Sequence, residues 1–140
     1  KYMLLIEMNP ETLKRLNVSS GAVWEEKVGY SRAVRIGQIV EVSGTTAVDG
    51  DQVMFPNEAY NQTHYILMKI QQALTDAGAS LQDVIRTRIY ITEMSLWEEV
   101  GRAHGEVFKD IRPACTMVEV YALIKDGLVV EIEASAVIPE

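Results

Sequence analysis

Two glutamates share one face of an apolar stretch near the end of the chain. In Leu128–Val137 one alternating set of residues is entirely apolar, while Glu131 and Glu133 belong to the other set. A strand with this pattern turns alternate side chains to opposite faces. A carboxyl group with a shifted pKa can act as a general acid or base. It can equally be a structural group paired with an arginine, because burial requires a partner in either case. Both interpretations of Glu131 stay open at this point.

Few other side chains have nucleophilic or metal-binding chemistry. Cys115 is the only cysteine, and it could act as a nucleophile only if a neighbouring group lowered its pKa. The candidate bases are His64 and His104, and no motif links either histidine to the thiol. We therefore expect Cys115 to be unreactive, His104 to be a core residue and His64 to lie on a helix surface. Two histidines without ligand spacing predict no zinc site, and the sequence has no glycine-rich phosphate loop.

The stretch that carries the two glutamates is predicted to be one strand of a β-sheet. The runs Thr116–Ile124 and Leu128–Val137 both alternate with the period of a strand. Lys125-Asp126-Gly127 lies between them, and a three-residue loop that ends in glycine suits a type I turn. The pattern therefore predicts a long hairpin at this end of the chain.

Further strands and helices are predicted upstream. The strands cover Ser31–Ile36, Ile39–Ser43 and Asp83–Thr92, the long helices run over Glu58–Ala77 and from Ser95 to about Lys109, and a short helix runs from Asn9 to about Leu16. Asn57 is expected to cap the first long helix, and Ser95–Glu98 has the pattern of a capping box for the second. Two long helices over one face of a mixed sheet define an α+β two-layer sandwich. The opposite sheet face also carries apolar residues, so we expect another subunit to cover it.

Five stretches, in this order along the chain, resemble the YjgF/RidA family. They are GYS (Gly29–Ser31), IGQIVEVSG (Ile36–Gly44), LTDAGASLQDVIRTRIYIT (Leu74–Thr92), Pro113-Ala114, and VEV followed by VEIEASAV. They cover about residues 29–137 of a single domain over residues 1–140, and they leave residues 1–28 as an N-terminal extension. The best-known members are small trimers that hydrolyse reactive enamine and imine intermediates. The resemblance therefore implies a chorismate-mutase-like fold, a homotrimer and small-molecule pockets between subunits.

The resemblance also implies roles for individual residues. Glu131 aligns with the family glutamate that positions the hydrolytic water, so it is a candidate catalytic residue. Tyr30 is a second candidate catalytic residue, and Ser43 and Gly44 match positions that bind the substrate. A hydroxyl and backbone groups at these positions could hydrogen-bond a small ligand. Alternatively, Tyr30 merely packs and Gly44 permits a tight bend.

The most informative departure from the family lies after the Pro-Ala pair. In members that hydrolyse imines, an arginine at that point binds the substrate's carboxylate, and a planar guanidinium suits this task because it grips both oxygens. Here the position is Cys115. Arg112 lies three residues earlier, too far along an extended segment to be a simple substitute. It is either a surface or interface charge, or a substrate-binding residue that enters the pocket.

Composition limits the partners of the chain. The net charge is −7, the pI is about 4.9, and lysine and arginine form no cluster. These features argue against an extended nucleic-acid surface, although some relatives have names that suggest RNA cleavage. No apolar run approaches the roughly 20 residues of a membrane span, and no signal peptide is visible. We therefore expect no membrane partner, no cofactor and a cytoplasmic location, which the single cysteine fits.

Three functions remain open after the sequence. The first is a cytoplasmic homotrimer with small-molecule pockets, in a branch that has lost the usual hydrolysis of 2-iminopropionate. The second is a hydrolase that acts on an imine, enamine or related metabolite with Glu131, Tyr30 and a bound water. The third is an interaction or chaperone-like module with a vestigial pocket. Glu131 favours a retained pocket, whereas Cys115 weighs against the usual substrate.

Overall fold

A computed structural model describes residues 14–140 of the chain. The strands are β1 (Arg15–Val18), β2 (Ala33–Ile36), β3 (Ile39–Thr46), β4 (Val48–Asp49), β5 (Gln52–Val53), β6 (Val84–Ile91), β7 (Ala114–Glu119) and β8 (Val130–Val137). The helices are α1 (Val23–Val28), α2 (Ala59–Asp76) and α3 (Trp97–Phe108), with single 3₁₀ turns at Leu81–Asp83 and Met94–Leu96. Six strands form one mixed sheet in the order β1-β2-β3-β8-β6-β7, and β4 and β5 form a separate small hairpin.

Alternation along the strands separates a buried face of the main sheet from an open one. One row of paired residues crosses five strands on the buried face, and it consists of Val18, Ala33, Val42, Ala134 and Thr87. Residues of the opposite parity, such as Glu41 and Glu133, lie on the other face. We call this second surface the open face, because no helix packs on it in residues 14–140. The predicted parity of Leu128–Val137 is confirmed, since Val130 and Ile132 are fully buried whereas Glu131 and Glu133 are only partly so.

Two long helices cover the buried face. Helix α2 packs on β3 and β8, and α3 packs on α2. The predicted stripe of α2 is confirmed, because every member is buried: Ala59, Thr63, Ile66, Leu67, Ile70, Ala73, Leu74 and Ala77. On α3, Val100 and Phe108 are buried, and the Nε2 of His104 is 2.9 Å from the hydroxyl oxygen of Thr87 on β6. The α+β fold with a mixed sheet and two helices on one face is confirmed.

The predicted C-terminal hairpin is wrong. Strand β7 pairs parallel with β6 at the edge of the sheet, and β8 lies antiparallel between β3 and β6. The reason is burial. Along β8, which has a partner strand on each side, the inward residues are 0–1% exposed, whereas β7, which has one partner strand, is exposed at five of its six residues. Lys125–Gly127 therefore belongs to a connection that crosses between separated strands rather than to a two-strand turn.

Three predicted helix starts or ends are also corrected. Asn57 has a left-handed φ of 62°, and the residue before α2 is Glu58, which makes no side-chain capping bond. The capping box at Ser95 does not form, because the chain first makes the 3₁₀ turn at Met94–Leu96. The short helix predicted from Asn9 lies mostly outside the described residues. Its predicted end at Leu16 is wrong, since that residue pairs with Arg35 in the sheet.

Candidate functional site

A β-bulge in β3 lies on the open face, where β3 meets β8. Val42 pairs with Ala134 and Thr45 pairs with Ile132, so Ser43 and Gly44 together stand opposite the single residue Glu133. An extra residue of this kind bends a strand and changes the direction of neighbouring groups. The hydroxyl of Ser43 donates to the carbonyl of Ser31 at 2.6 Å, which ties the bulge to the segment before β2.

The bulge brings Gly44 against the side chain of Glu131. A Cβ built on Gly44 would lie 2.2 Å from Oε2 of Glu131 and 3.2 Å from its carboxyl carbon. Any larger residue would have to displace the carboxylate. The structure thus brings together three of the residues predicted for the site, Ser43, Gly44 and Glu131.

The surroundings of Glu131 shift the pKa of its carboxyl group upwards. Burial raises the pKa of its carboxyl group, the nearby charge of Glu133 raises it further, and the positive charge of Arg32 opposes the shift. Among residues 14–140 no cationic side chain forms a salt bridge with Glu131, and no donor hydrogen-bonds to it. The structural interpretation, in which an arginine pairs with the carboxylate, has no partner in the described part of the chain.

Glu133 is engaged, unlike Glu131. The hydroxyl of Tyr90 donates to its Oε1 at 2.9 Å, and the Nε of Arg88 lies 3.7 Å from the same oxygen. The hydrogen bond to Glu133 is also the main reason that the pKa of Tyr90 is raised. Arg88 and Glu133 are also directly paired residues of the neighbouring strands β6 and β8. Two carboxylates on one strand face thus have different environments, because in residues 14–140 Glu133 has a hydrogen-bond donor and a nearby cation whereas Glu131 has neither as a bonded partner.

Sequence reasoning missed Arg32. Its Nη2 donates to the carbonyl of Gly44 at 2.8 Å, and its guanidinium carbon lies 5.7 Å from the centre of the Tyr30 ring. Tyr30, which is 37% exposed, lies next to this guanidinium, and it is not among the residues that line the two clefts described below. A signal was present, because Arg32 lies within the predicted strand Ser31–Ile36, next to Ala33, whose side chain is buried on the other face.

Two shallow clefts flank Glu133 on the open face. One has a volume of about 330 Å³ and includes Ser43 and Arg88. The other, of about 290 Å³, includes Gly44, Glu131 and Tyr90, and its far wall is the segment that follows β7. We call this second one the Glu131 cleft. Its lining combines a carboxyl group, a phenol and exposed backbone, so it can hydrogen-bond a small polar molecule.

Cys115 and Arg112 lie apart from this cleft within one chain. Cys115 pairs with Thr87, whose side chain is buried towards the helices, whereas Glu131 pairs with Tyr90 on the open face. The thiol is therefore exposed at the sheet edge on the opposite face. Arg112 is exposed in the turn before β7, with a left-handed φ of 56°.

The remaining titratable groups do not form a second candidate site in the described residues. In residues 14–140 no cluster of three or more histidine, cysteine, aspartate or glutamate side chains could hold a metal ion. His104 contacts Thr87 on the buried face, and the Nε2 of His64 lies 2.9 Å from Oε2 of Glu106 on the outer helix surface. In the described residues neither histidine forms a hydrogen bond with Cys115 or with a residue that lines the Glu131 cleft. None of the helices in residues 14–140 has the length and apolar character that crossing a membrane requires.

The class of this protein is defined by its six-stranded mixed sheet. The sheet carries two helices on one face and, on the other, a glutamate beside a glycine bulge. The endoribonuclease L-PSP family model matches residues 23–138, and the chain belongs to this family. The match begins just before Gly29, the first residue of the predicted resemblance, and it includes all of α1. The YjgF/RidA resemblance is thereby confirmed.

Relatives and solved structures agree with this assignment. The chain is 36% identical over 129 residues to an uncharacterised protein of Streptomyces coelicolor, which covers 92% of this chain and 95% of that one. It is 32% identical over 108 residues to the 3-aminoacrylate deaminase RutC of Acinetobacter baylyi, covering 76% of this chain and 85% of that one. A crystal structure of a YjgF/YER057c/UK114 family member from Mycobacterium tuberculosis matches with a TM-score of 0.82 and 51% identity, over 89% of this chain and 100% of that one.

Proposed function

We propose that this protein is a homotrimer that binds a small metabolite in the Glu131 cleft, and that it has lost efficient hydrolysis of 2-iminopropionate. The observation that carries the proposal is the environment of Glu131. Its carboxyl group has a raised pKa and no ion-pair partner in the described residues. Partial burial of a carboxyl group without a partner is costly, and a bound ligand is one way to supply that partner. Cys115 supplies no charge for the usual carboxylate, which supports the loss of that substrate.

The trimer is supported by the distribution of the predicted site residues. Cys115 and Arg112 lie at or before β7, whereas Glu131 and Gly44 lie on the open face. An assembly in which the β7 edge of one subunit closes the cleft of another would join the two groups. The open face also carries exposed apolar side chains suited to such a contact, and these are Ile36, Ile39, Val118 and Val137.

Hydrolysis of an imine or enamine is the second candidate function, and the raised pKa of Glu131 favours it. In such a step the carboxyl group gives a proton to the imine nitrogen and takes one from the attacking water. The water oxygen bonds to the imine carbon, the C–N bond breaks, and ammonia leaves with both water protons while a carbonyl remains. Similarity to a protein described as a 3-aminoacrylate deaminase supports the same chemistry.

Turnover and ligand binding test these functions together. The imine is generated in situ from an amino acid, and release of ammonia and keto acid is followed for the protein and for Glu131→Gln. A matched control is Glu106→Gln, which removes a carboxylate on the outer helix surface. Slow hydrolysis that disappears in Glu131→Gln alone supports the second candidate. Ligand binding without turnover supports the first, and neither binding nor turnover would favour a vestigial pocket.

Oligomeric state is tested separately by light scattering at micromolar concentration. The proposal expects the mass of three 15.7 kDa chains. A monomer mass would remove the pocket between subunits, although it would leave the Glu131 cleft of the single chain in place.

A further inference from the structure

We propose that the ligand of the Glu131 cleft is a planar nitrogen cation without a carboxylate, of the amidinium or protonated-imine type, whose N–H groups pair with the carboxylate of Glu131. The inference rests on the proposed function, because it names the class of ligand for the same cleft. The support comes from the groups that line the cleft, from the direction of their hydrogen-bond donors and from the position of the nearby arginines.

The lining of the cleft carries acidic side chains and no basic one. Its polar side chains are Glu131, Glu133 and Tyr90, and its other residues are a glycine, a valine, an alanine and a leucine. No lysine, arginine or histidine of residues 14–140 lines it. A ligand that enters the cleft therefore meets two carboxyl groups and no cationic side chain. Such a site attracts a cation and repels an anion.

The side chains of the cleft offer acceptors rather than donors when the carboxyl groups are ionised. Tyr90 has one hydroxyl proton, and it donates this proton to Oε1 of Glu133 at 2.9 Å. Ionised carboxylates only accept hydrogen bonds. In residues 14–140 no donor is bound to either oxygen of Glu131 or to Oε2 of Glu133. A ligand that satisfies these oxygens must therefore supply the N–H or O–H groups itself.

Two arginines lie near the carboxylates but outside the lining of the cleft. The Nη2 of Arg32 donates to the carbonyl of Gly44 at 2.8 Å, and its guanidinium forms no salt bridge with Glu131. The Nε of Arg88 lies 3.7 Å from Oε1 of Glu133, the oxygen that also accepts from the tyrosine. Arg88 therefore offsets part of the charge of Glu133, whereas in residues 14–140 Glu131 has no paired counter-charge.

A cation in the cleft would stabilise the ionised form of Glu131. Burial raises the pKa of this carboxyl group, and the charge of Glu133 on the same strand face raises it further, so both effects disfavour ionisation. A bound cation opposes both effects because it supplies a counter-charge and N–H donors. An amidinium has two parallel N–H groups, and these match the two oxygens of a carboxylate as the fork of an arginine does.

The rest of the lining favours a small apolar group on the cation. The segment after β7 contributes Val120, Ala122 and Leu123 to the far wall. The cleft volume of about 290 Å³ is close to the lower end of the range for small-molecule pockets. A planar cation with a few attached carbon atoms can thus direct its nitrogens to Glu131 and its hydrocarbon part to the far wall.

Three probes of nearly equal shape and different charge test the proposal. They are benzamidinium, benzamide and benzoate, each titrated into the full chain to about 20 mM at constant ionic strength, because ligands of so few atoms bind weakly and salt screens charge pairs. Backbone NMR shifts of Gly44, Glu131 and Leu123 report binding in the cleft. We expect benzamidinium to bind roughly tenfold or more tightly than benzamide, and benzoate to bind most weakly.

Glu131→Gln should remove the preference for benzamidinium, because the amide keeps the shape of the side chain but not its charge. Glu106→Gln is the matched control. It changes the net charge of the chain equally, but Glu106 lies on the outer helix surface, where it accepts from Tyr60 and lies beside His64. This variant should keep the preference of the unmodified protein.

Equal binding of benzamidinium and benzamide by the unmodified protein would overturn the cationic class, even if Glu131→Gln failed to fold. An unchanged preference in Glu131→Gln would do the same, and so would the absence of binding by all three probes. Tighter binding of benzoate would overturn it too, and loss of that binding in Arg112→Gln would assign the cation to Arg112. If benzamide or benzoate bound in the cleft in dependence on Glu131, the proposed function would survive the loss of this inference.

Discussion

The carboxylate of Glu131 occupies the space that a side chain on Gly44 would need. Its Oε2 lies 2.2 Å from the position of a Cβ at that residue. Gly44 is not among the glycines with positive φ, so backbone conformation does not require glycine there. The space does. The two residues are adjacent only because β3 bulges opposite β8, and this relationship makes the cleft sensitive to a single methyl group.

Gly44→Ala should therefore affect function more than stability. The added methyl group must displace the carboxylate, which is the flexible end of a side chain, so the unfolding free energy should change by less than about 1 kcal/mol. Ligand affinity or turnover should fall roughly tenfold or more, because the acid leaves its position. Thermal unfolding and a binding titration measure the two effects.

Gly101→Ala is the control for this experiment. Its Cβ would meet no atom within 4 Å, and the residue lies inside α3, so alanine should stabilise the helix by about 0.5–1 kcal/mol. Ligand binding should be unchanged. A Gly44→Ala protein that binds ligand normally would contradict the importance of the contact with Glu131.

Glu131→Gln should not destabilise the protein at neutral pH. The folded-state pKa of Glu131 is raised above 4.5, so the folded protein holds this proton to higher pH than the unfolded chain does. Stability is therefore lost as pH rises from about 4.5 through the folded pKa. Glutamine removes this loss, and the variant should gain stability relative to the unmodified protein over that range. Urea unfolding between pH 4 and 8 tests the sign, and a loss of about 3 kcal/mol or more would indicate a buried ion pair instead.

The faces of the strands were predictable, whereas their order in the sheet was not. Alternation in Leu128–Val137 placed Glu131 and Ile132 on opposite faces, because side-chain parity is a local property of a strand. The pairing of β8 with β3 and β6 depends on contacts distant in sequence, and a glycine-containing connection at Lys125–Gly127 resembled a turn. The bulge at Ser43 and Gly44 was likewise invisible, since it appears only when β3 is set against β8.

The residues of the candidate site were likewise only partly predictable from the sequence. Glu131, Ser43 and Gly44 were expected to lie together, and they do. Arg32 was not predicted, because its hydrogen bond to Gly44 joins the segment before β2 to β3 and local sequence does not reveal such a contact. Cys115 was expected in the same pocket, and within one chain it lies on the other face of the sheet. A role for it in the cleft requires a second subunit, which remains a prediction.

His104 should make stability depend on pH below neutrality. Burial lowers its folded-state pKa from 6.5, so the unfolded chain binds the proton first as pH falls. Its contribution is fully present above about pH 6.5 and is lost as pH falls towards the folded pKa. In His104→Gln the amide can still bond to Thr87, and the stability loss between pH 7 and 5 should be smaller. His64→Gln, at an exposed histidine, should keep the loss seen in the unmodified protein.

The acidic charge predicts no tight binding of RNA, despite the name of the family. With a net charge of −7 the chain repels a phosphate backbone, and lysine and arginine form no stripe in its sequence. A fluorescence titration with single-stranded RNA should show no sub-micromolar affinity at low salt. A tight complex whose affinity falls steeply as salt increases would contradict this prediction.

Substitution of Cys115 by arginine should restore hydrolysis of 2-iminopropionate. Without a charged partner at this position, binding of the reacting state should be weaker by about 2–5 kcal/mol, which corresponds to roughly thirty- to several-thousand-fold in rate. Cys115→Arg should recover part of this, provided that the arginine reaches the cleft of a neighbouring subunit. An assay that generates the imine in situ and follows keto-acid release compares the two proteins. Efficient turnover by the unmodified protein would refute the predicted loss of activity, and it would point to Arg112 or another subunit's arginine as the carboxylate-binding residue.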